Sequence, residues 1–122
     1  MEEIGTGAGQ LTIRMQIGSV WIKDFYFRSY NSTTDVYTDD SLTGATFSFF
    51  LKKFKGDRLK IYNLTLGSGV AFITYSSNAI RVTASASQQS IEEGEYYYEL
   101  RRTDLDKAKV SGVAILTYDS PQ

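Results

Sequence analysis

In residues 95–102 every second side chain is large and apolar: Tyr96, Tyr98 and Leu100 alternate with Tyr97, Glu99 and Arg101. A period of two is the mark of a β-strand with one buried face, because successive side chains leave opposite sides of the pleat. The same period recurs elsewhere. Leu11, Ile13 and Met15 alternate with Thr12, Arg14 and Gln16, and Ala45, Phe47, Phe49 and Leu51 with Thr46, Ser48, Phe50 and Lys52. In residues 20–28 both faces carry apolar groups. The Trp21, Phe25 and Phe27 face is expected inside, because the other ends in Asp24 and Arg28. No segment repeats apolar residues at the helical spacing, which argues against an α/β fold.

Turn residues punctuate these runs at intervals of about ten residues. Lys55-Gly56-Asp57 reads as a hairpin turn, with Leu59, Ile61 and Leu64 expected in the strand that follows. Gly67-Ser68-Gly69 precedes an apolar run over 70–75, and Ser76-Ser77-Asn78 separates it from a strand over 80–84. Residues 85–93 suit a short helical turn, and residues 103–107 a hairpin connection to a last strand over 110–118, with Val113 and Ile115 expected inside. Residues 29–43 are polar and turn-rich, the longest expected loop, and loops of that length tend to carry function. The total is seven to nine short strands, which predicts an all-β, antiparallel sandwich or barrel.

Residues 1–10 contain three glycines and almost nothing to bury, so they are expected as a flexible N-terminal arm, with residues 11–122 forming the sandwich domain. The chain opens with two acids rather than an apolar run, and no stretch approaches the ~18 apolar residues of a membrane helix. No membrane partner is expected, and synthesis in a cytoplasm is. Thirteen basic residues against fourteen acidic ones, net −1, give no reason to expect nucleic acid. Lys52, Lys53 and Lys55 form a local cluster, read as a solvated strand end.

The residues that usually carry chemistry are missing. With no cysteine there is no disulfide or thiolate metal site, and with no histidine there is no Ser-His or Cys-His nucleophile. Asp39-Asp40 and Glu92-Glu93 are adjacent pairs, and neighbours on a strand point to opposite faces, so neither makes an acid/base couple. Asp35, Asp39 and Asp40 offer oxygen ligands for Ca²⁺, but their spacing does not match an EF-hand loop. Gly5-Thr-Gly7-Ala-Gly9 has no strand before it and no helix after it, as a phosphate loop requires. Asn31-Ser-Thr33 and Asn63-Leu-Thr65 are read as chance sequon matches. The expectation is a chain that is not an enzyme and takes no metal or cofactor. Tyr30, Asp35, Tyr37 and Asp39 of the long loop are the candidate interaction residues, since exposed aromatics stack on sugars or anchor protein interfaces.

Four stretches carry a resemblance. Ser41-Leu-Thr-Gly44 opens a strand, Gly94-Glu-Tyr-Tyr-Tyr-Glu-Leu-Arg101 forms another, and Gly112 stands inside the last, with Gly18-Ser-Val-Trp21 ahead of the first. This order resembles the immunoglobulin-like domains of tailed-phage virion proteins, notably the N-terminal domain of baseplate upper proteins. It extends from Gly18 onward, and Ser41 stands where that family has Asp. The resemblance implies an immunoglobulin-like antiparallel β-sandwich and a structural role in a virion: a tail, baseplate or neck component, or an adaptor. The implied partners are other virion proteins or copies of itself. A baseplate domain heads a longer chain, so a stand-alone domain would equally suit a capsid decoration protein. A carbohydrate-binding module contacting a surface glycan is the alternative that the tyrosines suggest.

Overall fold

The computed structural model describes residues 2–4, 9–31, 33–39, 42, 44–73 and 78–118; at 2–4, 9, 29–31 and 37–39 only the backbone is described. Eleven strands and no helix occur among them: β1 (Glu2–Ile4), β2 (Gly9–Gln10), β3 (Ile13–Gln16), β4 (Trp21–Asn31), β5 (Val36–Asp39), β6 (Phe47–Lys52), β7 (Tyr62–Leu66), β8 (Gly69–Phe72), β9 (Ala79–Ala84), β10 (Gly94–Arg102) and β11 (Lys107–Thr117).

The strands form two layers. One runs β1-β4-β9-β8; the other runs β7-β6-β10-β11, with β2 and β3 side by side along the free edge of β11. Among the described residues, backbone pairing joins the layers only where the chain passes from β7 to β8 and pairs for two residues, Thr65↔Gly69 and Leu66↔Val70. β4 and β6 share no backbone pairing, yet Phe27 meets Phe47 at 5.3 Å between ring centroids and Trp21 meets Phe49 at 5.5 Å. Those contacts are made face to face across the core. Phe25, Ile80, Val82, Phe49, Tyr98, Leu100 and Leu116 are fully enclosed there.

The strand order is that of an immunoglobulin domain: β4, β9 and β8 stand as B, E and D, and β7, β6, β10 and β11 as C′, C, F and G. The tyrosine corner of such domains is also present, since the Tyr96 hydroxyl at the start of β10 donates to the Glu92 carbonyl. Antibody domains add an inter-sheet disulfide. This chain has no cysteine, and the inter-sheet clamp is aromatic, with Trp21 packed on Phe49 and Phe49 stacked on Tyr98 at 5.6 Å. The all-β, immunoglobulin-like sandwich read from the chain is therefore the fold.

Several local expectations are corrected. In the segment read as an arm, β1 pairs with β4 and β2 with β11, both in parallel; residues 5–8 lie outside the described residues. Backbone pairing needs no side chain to bury, so a glycine-rich stretch can still join an edge. The loop read over 29–43 is in part a hairpin, because β4 continues to Asn31 and pairs with β5. In β7 the buried residues are Tyr62 and Leu64, while Leu59 and Ile61 precede the strand and are exposed. In β11 Val110, Ala114 and Leu116 are buried and Val113 is exposed, the opposite parity to that expected. Residues 86–89 make one tight turn, closed by Gln89 N–H donating to the Ser85 carbonyl at 3.1 Å, without a helix. The turn read at Ser76-Ser77-Asn78 is described only at Asn78, which is buried; its amide donates to the Phe27 carbonyl at 3.2 Å.

Two local contacts fix the segment before β3 and the 86–89 turn in place. Gly112, at φ +151°, lies so close to Leu11 that a Cβ there would sit 2.5 Å from the Leu11 carbonyl oxygen. That same oxygen accepts the Tyr98 hydroxyl. Gln89 is fully buried: its Oε1 accepts the Tyr62 hydroxyl at 2.9 Å and its backbone carbonyl accepts Gly18 N–H at 3.1 Å, while Nε2 has no protein partner. Burial pushes the Tyr62 hydroxyl well above the usual tyrosine range, so it stays protonated and donates.

Candidate functional site

The registers sort the loops into two ends. β6 runs from Phe47, opposite Arg102, to Lys52, opposite Tyr97. The turn 103–106 therefore lies at the end where β6 begins, and the loop 53–61 at the end where it stops. Direct bonds confirm the first placement: Thr103 N–H donates to the Thr46 carbonyl at 2.8 Å, and Thr46 N–H donates to Asp104 Oδ1 at 3.2 Å. The β4–β5 hairpin projects from the same end, since β4 closes there before the chain returns into β6.

This first end holds the sequence-predicted residues. Tyr30 and Tyr37 are register partners across the hairpin, and Asp39 pairs with Arg28 two residues further back; the side chains of Tyr30, Tyr37 and Asp39 lie outside what is described. Asp35 is exposed and takes φ 54°, a left-handed conformation that aspartate tolerates in a tight turn. Asp106, at φ 52°, does the same in the β10–β11 turn. Next to these stand two exposed apolar residues, Val36 (51%) and Leu105 (47%). Leu105 lies between Asp104 and Asp106, and Val36 follows Asp35. Asp104 accepts from Arg102 Nε at 3.1 Å and Asp106 from Arg101 Nη2 at 2.6 Å. Burial opposes ionisation of Asp104, but the Arg102 and Thr46 donors outweigh it and hold the carboxyl below its usual value.

The second end is basic. Residues 52–60 hold Lys52, Lys53, Lys55, Arg58 and Lys60 against the single acid Asp57, a net +4. Three of these lysines lie over rings: Lys52 and Lys60 over Phe50 at 5.0 and 4.7 Å, and Lys53 over Tyr96 at 4.5 Å. Phe54 and Leu59 nevertheless stand out in solvent, at 64% and 83%, each between two cations. Reading the lysines as a solvated strand end passed over these apolar residues. The signal was present in the alternation Lys53-Phe54-Lys55 and Arg58-Leu59-Lys60.

A concavity of about 620 Å³ lies beside the β7–β8 crossover, its lining including Leu64, Val70, Arg81, Thr83, Ser87 and Gln88. Its lining includes no carboxylate. Arg81, its one charged group, reaches across the strands to Asp24, donating from Nε at 2.7 Å and Nη2 at 3.0 Å. The guanidinium hydrogen bond holds the Asp24 carboxyl below its usual value. Hydroxyls, an amide and a paired guanidinium can hydrogen-bond a polar ligand but supply no general base. Among the described residues no three Asp or Glu side chains come together as a metal site would require.

No family model matches the chain, and no curated protein does. Among solved structures it is similar to the natural killer cell receptor Nkp44, a triggering partner in natural cytotoxicity, at 10% identity and a TM-score of 0.43 over 92% of this chain and 100% of that one.

Proposed function

We propose that this chain is a non-catalytic structural protein of a tailed-phage virion, a tail, baseplate or neck component or an adaptor, that works through protein–protein contact. One observation carries the assembly reading: among the exposed apolar side chains, Phe54 and Leu59 at one end of the sandwich and Val36 and Leu105 at the other each stand next to charged residues. Exposed apolar groups rimmed by polar ones are what interaction surfaces present. The concavity, by contrast, brings no carboxylate pair together. The virion assignment rests on the motif order from Gly18-Ser-Val-Trp21 to Gly112, and capsid decoration would use the same surfaces. Mass spectrometry of purified particles from the source of the sequence is expected to detect the chain in stoichiometric amount. Its absence from particles, with free protein in the lysate, would overturn the virion assignment.

A second reading, a module that binds a surface glycan, is favoured by the register that sets Tyr30 opposite Tyr37. Glycan-array binding that Tyr30→Ala or Tyr37→Ala abolishes would support it; no binding to any glycan would remove it.

A further inference from the structure

In β9 Ile80, Val82 and Ala84 are buried, so Arg81 and Thr83 leave the sandwich on its outer face. Arg81 stands in register between Asp24 on β4 and Ala71 on β8. Its guanidinium goes to Asp24, donating at 2.7 and 3.0 Å, and so leans over β4. The β8 side of the face is left uncovered. Ala71 has only a methyl group there, and Gly69 lies so close over Leu64 that a Cβ would stand 2.7 Å from Leu64 Cδ2. The concavity of about 620 Å³ therefore exists because the long side chain is drawn away and the residues beside it are small. Small-ligand sites span roughly 300–1,000 Å³, so it is of the right size for one. The 85–88 turn bounds it at the end of β9 remote from the β4–β5 hairpin.

What the concavity offers a ligand is neutral. Arg81 is the one charged residue of its lining, and Asp24 balances it. Gln88 Oε1 is taken by Ser85 N–H at 2.8 Å, so Gln88 has its amide N–H groups to give. Ser68, Thr83 and Ser87 contribute hydroxyls, which both donate and accept. Such a lining matches a ligand whose own groups both donate and accept and carry no charge. An aliphatic chain would bury these hydroxyls without partners. A nucleobase would find no aromatic ring to stack on. A small anion would meet a guanidinium already engaged by a carboxylate. From this we infer that the concavity on the outer face of β8 and β9 is a binding site for one unit of a neutral saccharide, its hydroxyls bonded by Ser68, Thr83, Ser87 and Gln88. The inference rests on the glycan reading above and gives that reading a site apart from the tyrosine hairpin.

The test titrates the isotopically labelled full chain with the neutral disaccharides maltose, lactose and chitobiose to about 20 mM, a range that captures millimolar dissociation constants, and reads backbone amide shifts by NMR. At least one sugar is expected to give saturable shifts at Gly69, Ala71, Thr83 and Ser87 while the Tyr30 and Tyr37 amides stay in place. Thr83→Val keeps the shape of the side chain and removes its hydroxyl, and is expected to weaken binding about three- to tenfold. Ala71→Leu fills the concavity from an exposed position and is expected to abolish binding. The amide spectrum of each variant away from β8 and β9 should match the wild type, which shows that it has folded. No saturable shift with any of the three sugars would overturn the inference, and so would binding that Ala71→Leu leaves intact. Binding of sialyllactose without binding of lactose would make the ligand an anion and would also overturn it. The two readings fail separately. Shifts confined to the hairpin amides and lost in Tyr30→Ala would keep the glycan reading and remove this site, whereas a glycan array with no binding at all would remove the reading itself.

Discussion

The Tyr96 hydroxyl donates to the carbonyl of Glu92, four residues earlier, at 2.6 Å, and so fixes the loop 85–93 to the start of β10. Burial, reinforced by the nearby Glu92 carboxylate, keeps that hydroxyl protonated to higher pH than an exposed tyrosine. Its ring is packed in the core with Lys53 laid over it. Tyr96→Phe removes the hydrogen bond alone and is expected to cost about 1 kcal/mol. Tyr96→Ala also empties the site and is expected to cost about 3–5 kcal/mol. Urea unfolding of both variants checks the pair, and equal losses would show that the hydroxyl rather than the ring does the anchoring.

Tyr62 and Gln89 form the second buried tie. Tyr62→Phe leaves the Gln89 Oε1 without its donor, and the expected cost is about 1–3 kcal/mol at neutral pH. Burial raises the folded-state pKa of Tyr62, so the contribution is complete below the ordinary tyrosine value. As pH rises past about 10 the unfolded chain releases its proton and the folded one does not, and stability falls. The gap between wild type and Tyr62→Phe is therefore expected to narrow in urea titrations run above about pH 10. A gap that widens there would contradict the assignment.

The cross-strand pair Asp24 and Arg81 has the opposite sign of pH dependence. The hydrogen bond from Arg81 lowers the folded-state pKa of Asp24. Its contribution is present above the unfolded value of about 4 and is lost as pH falls through the lower folded value. Because Arg81 is about half exposed, Asp24→Asn is expected to cost no more than about 1 kcal/mol at pH 7. Thermal melts should show that difference shrinking below about pH 4. A difference that is constant down to acid pH would mean that the pair does not titrate with folding.

Gly112→Ala is expected to cost about 1–3 kcal/mol or more, since the new methyl would press on the Leu11 carbonyl and the backbone conformation disfavours an L side chain. Gly18→Ala has open space around the new Cβ and meets only the conformational penalty of φ +77°. Guanidinium unfolding of the two should rank Gly112→Ala as the more damaging, and the reverse order would place β3 and Leu11 away from β11.

How far the fold was legible depended on whether a period could be anchored. In β6 and β10 most large residues fall on one parity, and in β4, where both faces are apolar, Asp24 and Arg28 mark the outer one, so Phe25, Phe47, Phe49, Tyr98 and Leu100 were readable as core. In β11 residues 110–116 contain apolar groups on both parities, and a shift of one residue exchanges the faces, so Val113 was read inward in place of Ala114. Leu59 and Ile61 were mistaken for the start of β7 because apolar residues on an exposed loop keep the same alternation as a strand. β1, β2 and β5 pair through backbone groups that leave no apolar signature. Asp35, Tyr30, Tyr37 and Asp39 were picked from loop composition, and the hairpin register brings the two tyrosines opposite each other. The second end was missed because its lysines were weighed without the apolar residues between them.

The account depends on a strand order that sets loop 53–61 and turn 103–106 at opposite ends of the sandwich. The chain has no cysteine, so spin labels can be placed cleanly at Lys55→Cys and Leu105→Cys. β6 alone spans about 17–20 Å and both labels lie beyond its ends, so a single dipolar distance of more than about 25 Å is predicted. A dominant distance under about 15 Å within one chain would place the two loops together and contradict the fold.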